Sequence, residues 1–202
     1  MKLAIVTGNA KKYQQIAERI DDLVEPYQLV CGLDELQIPL IEEISHHKCV
    51  QAREHFKQPV LVDDSGIYFS HYNNFPGSMT KRLYMGVGLQ GIKHLFENGE
   101  STKAVFQCVL SYMDETLELP TQFIGNVEGE LTFGLLEHME EEPRLPYDLI
   151  FKPDEMDTVV ALNMDQRTGK LSHRTRAVEK FRKWLLGRQT EKKESVGDKL
   201  TI

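Results

Sequence analysis

In "QPVLVDDSGIYFS" (residues 58–70) an apolar run meets two adjacent aspartates, then Ser65 and Gly66, and becomes apolar again. A buried strand seldom ends in two unpaired carboxylates, because charge withdrawn from water without a partner is costly. The pattern predicts strand, turn, strand, with Gly66 letting the chain turn sharply away. Asp63 and Asp64 at a strand end can bind a hard cation such as Mg2+, or one of them can activate water. Two capping or turn aspartates would read the same way.

Upstream, "LAIVTGN" predicts a buried strand ending in a Gly turn, and "AKKYQQIAERIDDL" a helix with Ile16, Ile20 and Leu23 at helical spacing. "QLVCGL" predicts a second strand. "EEISHHKCVQAREHF" predicts a helix whose first turn carries acids that suit the helix dipole. Downstream, "GLQGIKHLFEN" reads as a short helix. "KAVFQCVLSYM" and "TQFIGNVEGEL" read as long strands joined through a hairpin at "DETLELP". "DTVVALN" fits a short strand or the edge of a helix. "SHRTRAVEKFRKWLLG" predicts a helix capped by Ser172, with Ala177, Phe181, Trp184 and Leu185 on one face. Helices alternating with strands, plus a long hairpin, predict an α/β fold with a mixed sheet. The expected organisation is one domain over residues 1–187 and a disordered polar tail over 188–202.

The composition bounds the function. A chain of 202 residues, 41% hydrophobic and 27% charged, suits one sizeable soluble core. A net charge of −7 leaves no basic field to recruit nucleic acid, so phosphates would have to be met by local cations or a metal. The three cysteines are widely separated, which argues against a disulfide framework or a zinc site. The apolar run at the start is too short for a signal peptide, and no run reaches the roughly 18 residues of a membrane span. A cytoplasmic protein without nucleic-acid or membrane partners is expected.

Three further stretches carry chemistry. "VTGNAKK" (residues 6–12) places a small-residue turn before a helix, where backbone N–H groups favour an anion. Lys11 and Lys12 oppose the helix dipole there, and a phosphate would explain them. Taken alone, the stretch reads first as a plain βα turn with two solvated lysines. "SHRTR" (172–176) offers donors and a planar guanidinium for a phosphate or base edge, or is simply a capped basic helix. "LPYDLIF" (145–151) offers Tyr147 to stack on a base, or a core tyrosine with a satisfied hydroxyl.

In order, "TGNAKK", "DDSG", "PGSMTKR", "GNVEGEL", "YD" before "IF", and "SHR" resemble the inosine triphosphate pyrophosphatase family over residues 1 to about 187. The resemblance implies an elongated mixed sheet flanked by helices, with two lobes around a central nucleotide cleft. It implies Mg2+-dependent hydrolysis of ITP, dITP and XTP to the monophosphate and pyrophosphate, with Mn2+ as an alternative metal, by a homodimer. The alternative is a nucleotide-binding module of the same fold with weak or lost turnover. By motif, Thr7, Gly8, Asn9 and Lys12 would hold the triphosphate, with Ser65 and Gly66 close to it. Asp64 would be general base or metal ligand, assisted by Lys12. Tyr147 and Asp148 would lie along the base, and His173 with Arg174 would read its 6-oxo edge. The family's second acidic ligand falls nearest Glu42 and Glu43. A family glutamate is Gln15 here, and a family lysine falls on Thr168, near Arg167 and Lys170.

Overall fold

The structure is a computed structural model and describes residues 1–138, 145–162 and 172–197. Along the chain run β1 (Lys2–Val6), α1 (Ala10–Ala17), β2 (Glu25–Leu29), α2 (Ile41–Phe56), β3 (Val60–Phe69), β4 (Pro76–Gly77), α3 (Thr80–His94), β5 (Lys103–Met113), β6 (Thr121–Leu131), β7 (Phe151–Pro153) and α4 (His173–Gly197). One mixed sheet has the order β2-β1-β3-β5-β6-β7, with β4 beside β3. β1 pairs in parallel with β2 and β3, and the other pairings are antiparallel. The predicted hairpin strands are β5 and β6, with Tyr112 opposite Thr121 at its closed end.

Apolar residues fill three cores. One packs Leu3, Ile5, Leu61 and Leu110 under α1 and α4, against Ile16 and Phe181. The second lies on the other face of the sheet, where Ala4, Val60 and Val62 meet Cys49 and Ala52 of α2. The third forms the far lobe, where Ile67, Phe69 and Phe106 pack against Ile92, Phe96 and Phe151. The long strands β3 and β5 carry residues into both lobes, so they form the floor between them.

The predicted turn at Ser65–Gly66 is absent. Val60–Phe69 is one unbroken strand, paired with β5 along its whole length, and the two aspartates lie in its interior. Gly66 serves a close approach instead, because a methyl group there would overlap the Gly77 carbonyl of β4. On its other edge β3 pairs with β1 only as far as Val62 and with β4 only from Ile67. The sheet therefore opens beside residues 63–66, at the carboxyl ends of the parallel strands, where ligands of such sheets bind.

Other elements differ from expectation at their ends. β2 begins at Glu25, upstream of the "QLVCGL" stretch, because all five residues of β1 find partners there. α1 ends at Ala17, and α3 starts at Thr80 with a kink at Gly88, whose φ is 64°. "DTVVALN" yields a 3-10 turn at Val160–Leu162. α4 does not stop at Gly187 but runs to Gly197 through the segment expected to be disordered. Arg188 fastens that extension, donating to Asp114 at 2.9 Å and lying 4.7 Å from the Trp184 ring centroid. At its other end α4 rests on β6, where a methyl group at Gly125 would overlap the His173 carbonyl oxygen.

The contrast between two glycines gives a stability test. Gly66→Ala should cost about 1–3 kcal/mol by overpacking against rigid backbone. At Gly8 an added methyl group would meet nothing within 4 Å, so alanine should be tolerated within about 0.5 kcal/mol. Urea unfolding of both variants checks this.

Candidate active site

Successive residues of a strand point to opposite faces, so Asp63 and Asp64 enter different environments. Asp63 faces α1 and α4, its side chain wholly shielded from solvent. Its Oδ1 accepts from Lys12 Nζ at 2.5 Å, and its Oδ2 accepts from Arg174 Nε at 2.6 Å. Burial alone would raise its pKa, but the charges of Arg174 and then Lys12 outweigh that and hold it far below the ordinary carboxylate range. Arg174 has further partners in this arrangement. Its Nη1 donates to Gln15 Oε1 at 2.7 Å and its Nη2 to Ser65 Oγ at 3.1 Å.

Asp64 faces α2. Its Oδ1 accepts from Lys48 Nζ at 2.7 Å, and Lys48 also donates to Glu35 Oε1 at 2.8 Å. The other oxygen, Oδ2, is buried without a hydrogen-bond partner. Burial raises the Asp64 pKa, and the opposing Lys48 charge does not fully cancel it. Glu35 sits in the loop before α2. That loop is fixed by Gln51, which accepts from Asp34 N at 3.1 Å and donates to Asp34 O at 3.3 Å.

At the β1–α1 junction Asn9 is the helix cap. Its Oδ1 accepts from the backbone N–H groups of Lys11 (2.9 Å) and Lys12 (3.3 Å). Those two donors, expected for an anion, are therefore taken by a side chain. Lys12 has its charge answered by Asp63 while it still borders the cleft.

At the other end of the cleft His173 opens α4. Its ring stacks on Phe106, with centroids 4.1 Å apart and planes 8° from parallel. Its Nε2 is buried and has no partner. Burial, then the Arg174 charge, depresses its pKa well below the ordinary histidine value, so the ring is neutral at pH 7. Tyr147 is buried, with its hydroxyl donating to Thr80 O at 2.9 Å. Asp148 is also buried, and its negative charge acts on Arg174. Ser172 caps α4 as expected, accepting from Thr175 N at 3.0 Å.

Most of these groups border one cleft of about 1540 Å³. Small-molecule sites run to roughly 300–1,000 Å³, so a nucleotide with its phosphates fits. Thr7, Gly8, Asn9, Lys12, Asp64, Ser65, Tyr147, Asp148, His173 and Arg174 line it, whereas Gly66, Glu42 and Glu43 do not. Glu43 is exposed, and Glu42 lies near Tyr68, whose hydroxyl pKa its charge helps to raise after burial. The acid brought to Asp64 is Glu35, and the sequence reading missed it along with Lys48. The signal for Lys48 was present. It falls on the buried stripe of α2 formed by Ile41, Ile44, Ser45, Cys49 and Ala52, where a lysine needs a partner. Arg174, expected at a base edge, borders the cleft with three of its five donors already given to Asp63, Gln15 and Ser65. Thr168, with Arg167 and Lys170, lies outside the described residues.

The two aspartates should separate in stability measurements. Asp63→Asn leaves two cations under-compensated and should cost about 3–5 kcal/mol. The native Asp63 contribution is complete above its ordinary pKa of 3.8 and is withdrawn as pH falls below it, because its folded pKa is lower. Urea unfolding between pH 5 and 2.5 should therefore fall more steeply for the wild type than for Asp63→Asn.

The sequence profile of the Ham1 family matches residues 3–184. A dITP/XTP pyrophosphatase of Methanopyrus kandleri is 35% identical over 192 residues, covering 91% of this chain and 96% of that protein. A second protein of that name, from Thermococcus kodakarensis, is 31% identical over 190 residues, with 92% and 97% covered. An inosine triphosphate pyrophosphatase of Scheffersomyces stipitis is 31% identical over 195 residues, with 91% and 97% covered. Among solved structures, a HAM1 protein from Coxiella burnetii superposes with a TM-score of 0.77 at 23% identity, covering 93% of this chain and 99% of that one, a likeness of fold. Sequence and architecture thus agree, and the chain belongs to the Ham1 family.

Proposed function

We propose that this protein hydrolyses non-standard purine nucleoside triphosphates (ITP, dITP and XTP) to the monophosphate and pyrophosphate. The observation that carries the reading is one cleft with two unlike ends: paired carboxylates on the α2 side and a neutral, unpartnered His173 stacked beside the base end. The names of the similar proteins point the same way.

The donor set fits a divalent cation. Asp64 Oδ2 is a buried oxygen without a partner, and Glu35 shares its ammonium with Asp64. Among the described residues no group of three His, Cys, Asp or Glu surrounds a common point. That suits Mg2+, which takes one or two carboxylates and completes its shell with water and substrate phosphates. Asp64 and Glu35 would hold it, with Mn2+ able to replace it. Bound there, it would neutralise triphosphate charge.

The chain's own residues supply the rest. Asp64 accepts a proton from, and orients, the water that attacks phosphorus. Lys81 and Arg82 border the cleft, and their charges reach Glu35, so they face the phosphates from α3. Asp63, Lys12 and Arg174 form the rigid floor. At the base end a neutral His173 carrying its proton on Nε2 donates to the 6-oxo group of hypoxanthine or xanthine. Adenine presents an amino group there and would leave that donor unpaired, at a cost of about 1–3 kcal/mol. A homodimer in the cytoplasm belongs to the same reading. No helix among the described residues is long and apolar enough to cross a membrane.

With Mg2+, pyrophosphate release from ITP, dITP and XTP should exceed release from ATP. Asp64→Asn should lower kcat/KM at least about 100-fold. His173→Ala should narrow the ITP-to-ATP ratio by about tenfold or more. No release from any of the three nucleotides, or full activity in Asp64→Asn, would overturn the proposal.

A further inference from the structure

Lys48 occupies the place where a metal would be useful. Its ammonium lies 2.7 Å from Asp64 Oδ1 and 2.8 Å from Glu35 Oε1, with the side chain 15% exposed. We infer that Lys48 is a resident counter-ion of the cation site, holding Glu35 and Asp64 together in the metal-free protein and competing with the metal for their oxygens. The inference rests on the metal-dependent reading above.

The competition follows from charge. A dication that takes these oxygens must either break charge-assisted hydrogen bonds to the ammonium or sit beside a like charge. The position of Lys48 on the buried stripe of α2, between Ser45 and Cys49, ties the side chain to this corner of the cleft.

Removing the ammonium leaves the backbone that carries both acids in place. Asp64 is fixed by the β3 ladder, with its side chain 12% exposed. The backbone beside Glu35 is held because Gln51 bonds both the N–H and the carbonyl of Asp34, although the Glu35 side chain itself is 61% exposed. A neutral residue at 48 therefore leaves two convergent carboxylates with no cation between them. That is a stronger site for a dication than the native one.

The probe is Mn2+ alone, titrated without nucleotide and followed by electron paramagnetic resonance and calorimetry. Lys48→Met and Lys48→Gln should bind Mn2+ about tenfold more tightly than the wild type. Lys48→Arg, which keeps the charge, should bind no more tightly than the wild type. Gln51→Ala, which frees the Glu35 loop, should bind more weakly. Thermal unfolding adds a second readout: Mn2+ should raise the Tm of the neutral variants more than that of the wild type. Unchanged or weaker Mn2+ binding in both neutral variants would overturn the inference, as would the absence of Mn2+ binding in every protein. Pyrophosphate release by the wild type is measured in parallel. Release without tightening would remove the counter-ion role alone, and tightening without release would remove the enzymatic reading alone.

Discussion

The buried contact of Asp63 with Lys12 and Arg174 is the constraint on which the site depends. It joins α1, β3 and α4, elements separated by 51 and 111 residues along the chain. A carboxylate wholly removed from water persists there only because two cations and their geometry compensate for its lost hydration. Each partner is fixed in turn, Lys12 by the Asn9-capped start of α1 and Arg174 by Gln15 and Ser65. Once Asp63 faces this side, the pleat of β3 gives Asp64 no choice but the other. One charged residue thus becomes floor and the next becomes available for chemistry.

That division was only partly legible in the sequence. The DDSG stretch and the ordered motifs marked the cleft, and β5 and β6 could be read to the residue from apolar runs and a polar hairpin. The two aspartates looked like a strand end because Ser and Gly after a carboxylate pair usually signal a turn. Here the glycine is required by the passing carbonyl of Gly77, a contact between segments that local pattern cannot express. The pairing of Arg174 with Asp63 was hidden for a related reason, since a basic residue at a helix start reads equally well as a free donor or as half of a buried pair.

Glu35 escaped notice because it lies in a loop without periodicity, whereas Glu42 and Glu43 stand in a first helical turn where acids draw attention. Their place there already has a sufficient cause in the helix dipole. The polar composition after Gly187 suggested an end to α4, and the glycine itself weakens a helix by only about 1 kcal/mol. The bond from Arg188 to Asp114 and its contact with Trp184 extend the helix past it. Long-range pairing settled each of these cases, and a one-dimensional reading sees only one partner at a time.

The glycine at 125 has a different kind of consequence. Because β6 and the first turn of α4 meet as bare backbone, the location of residue 173 is set without reference to its side chain. The address is fixed while the occupant is free to vary. An exchange at 173 would leave the backbone in place and be felt where the ring stacks on Phe106. The backbone junction that displays residue 173 is thus harder to alter than the side chain it displays.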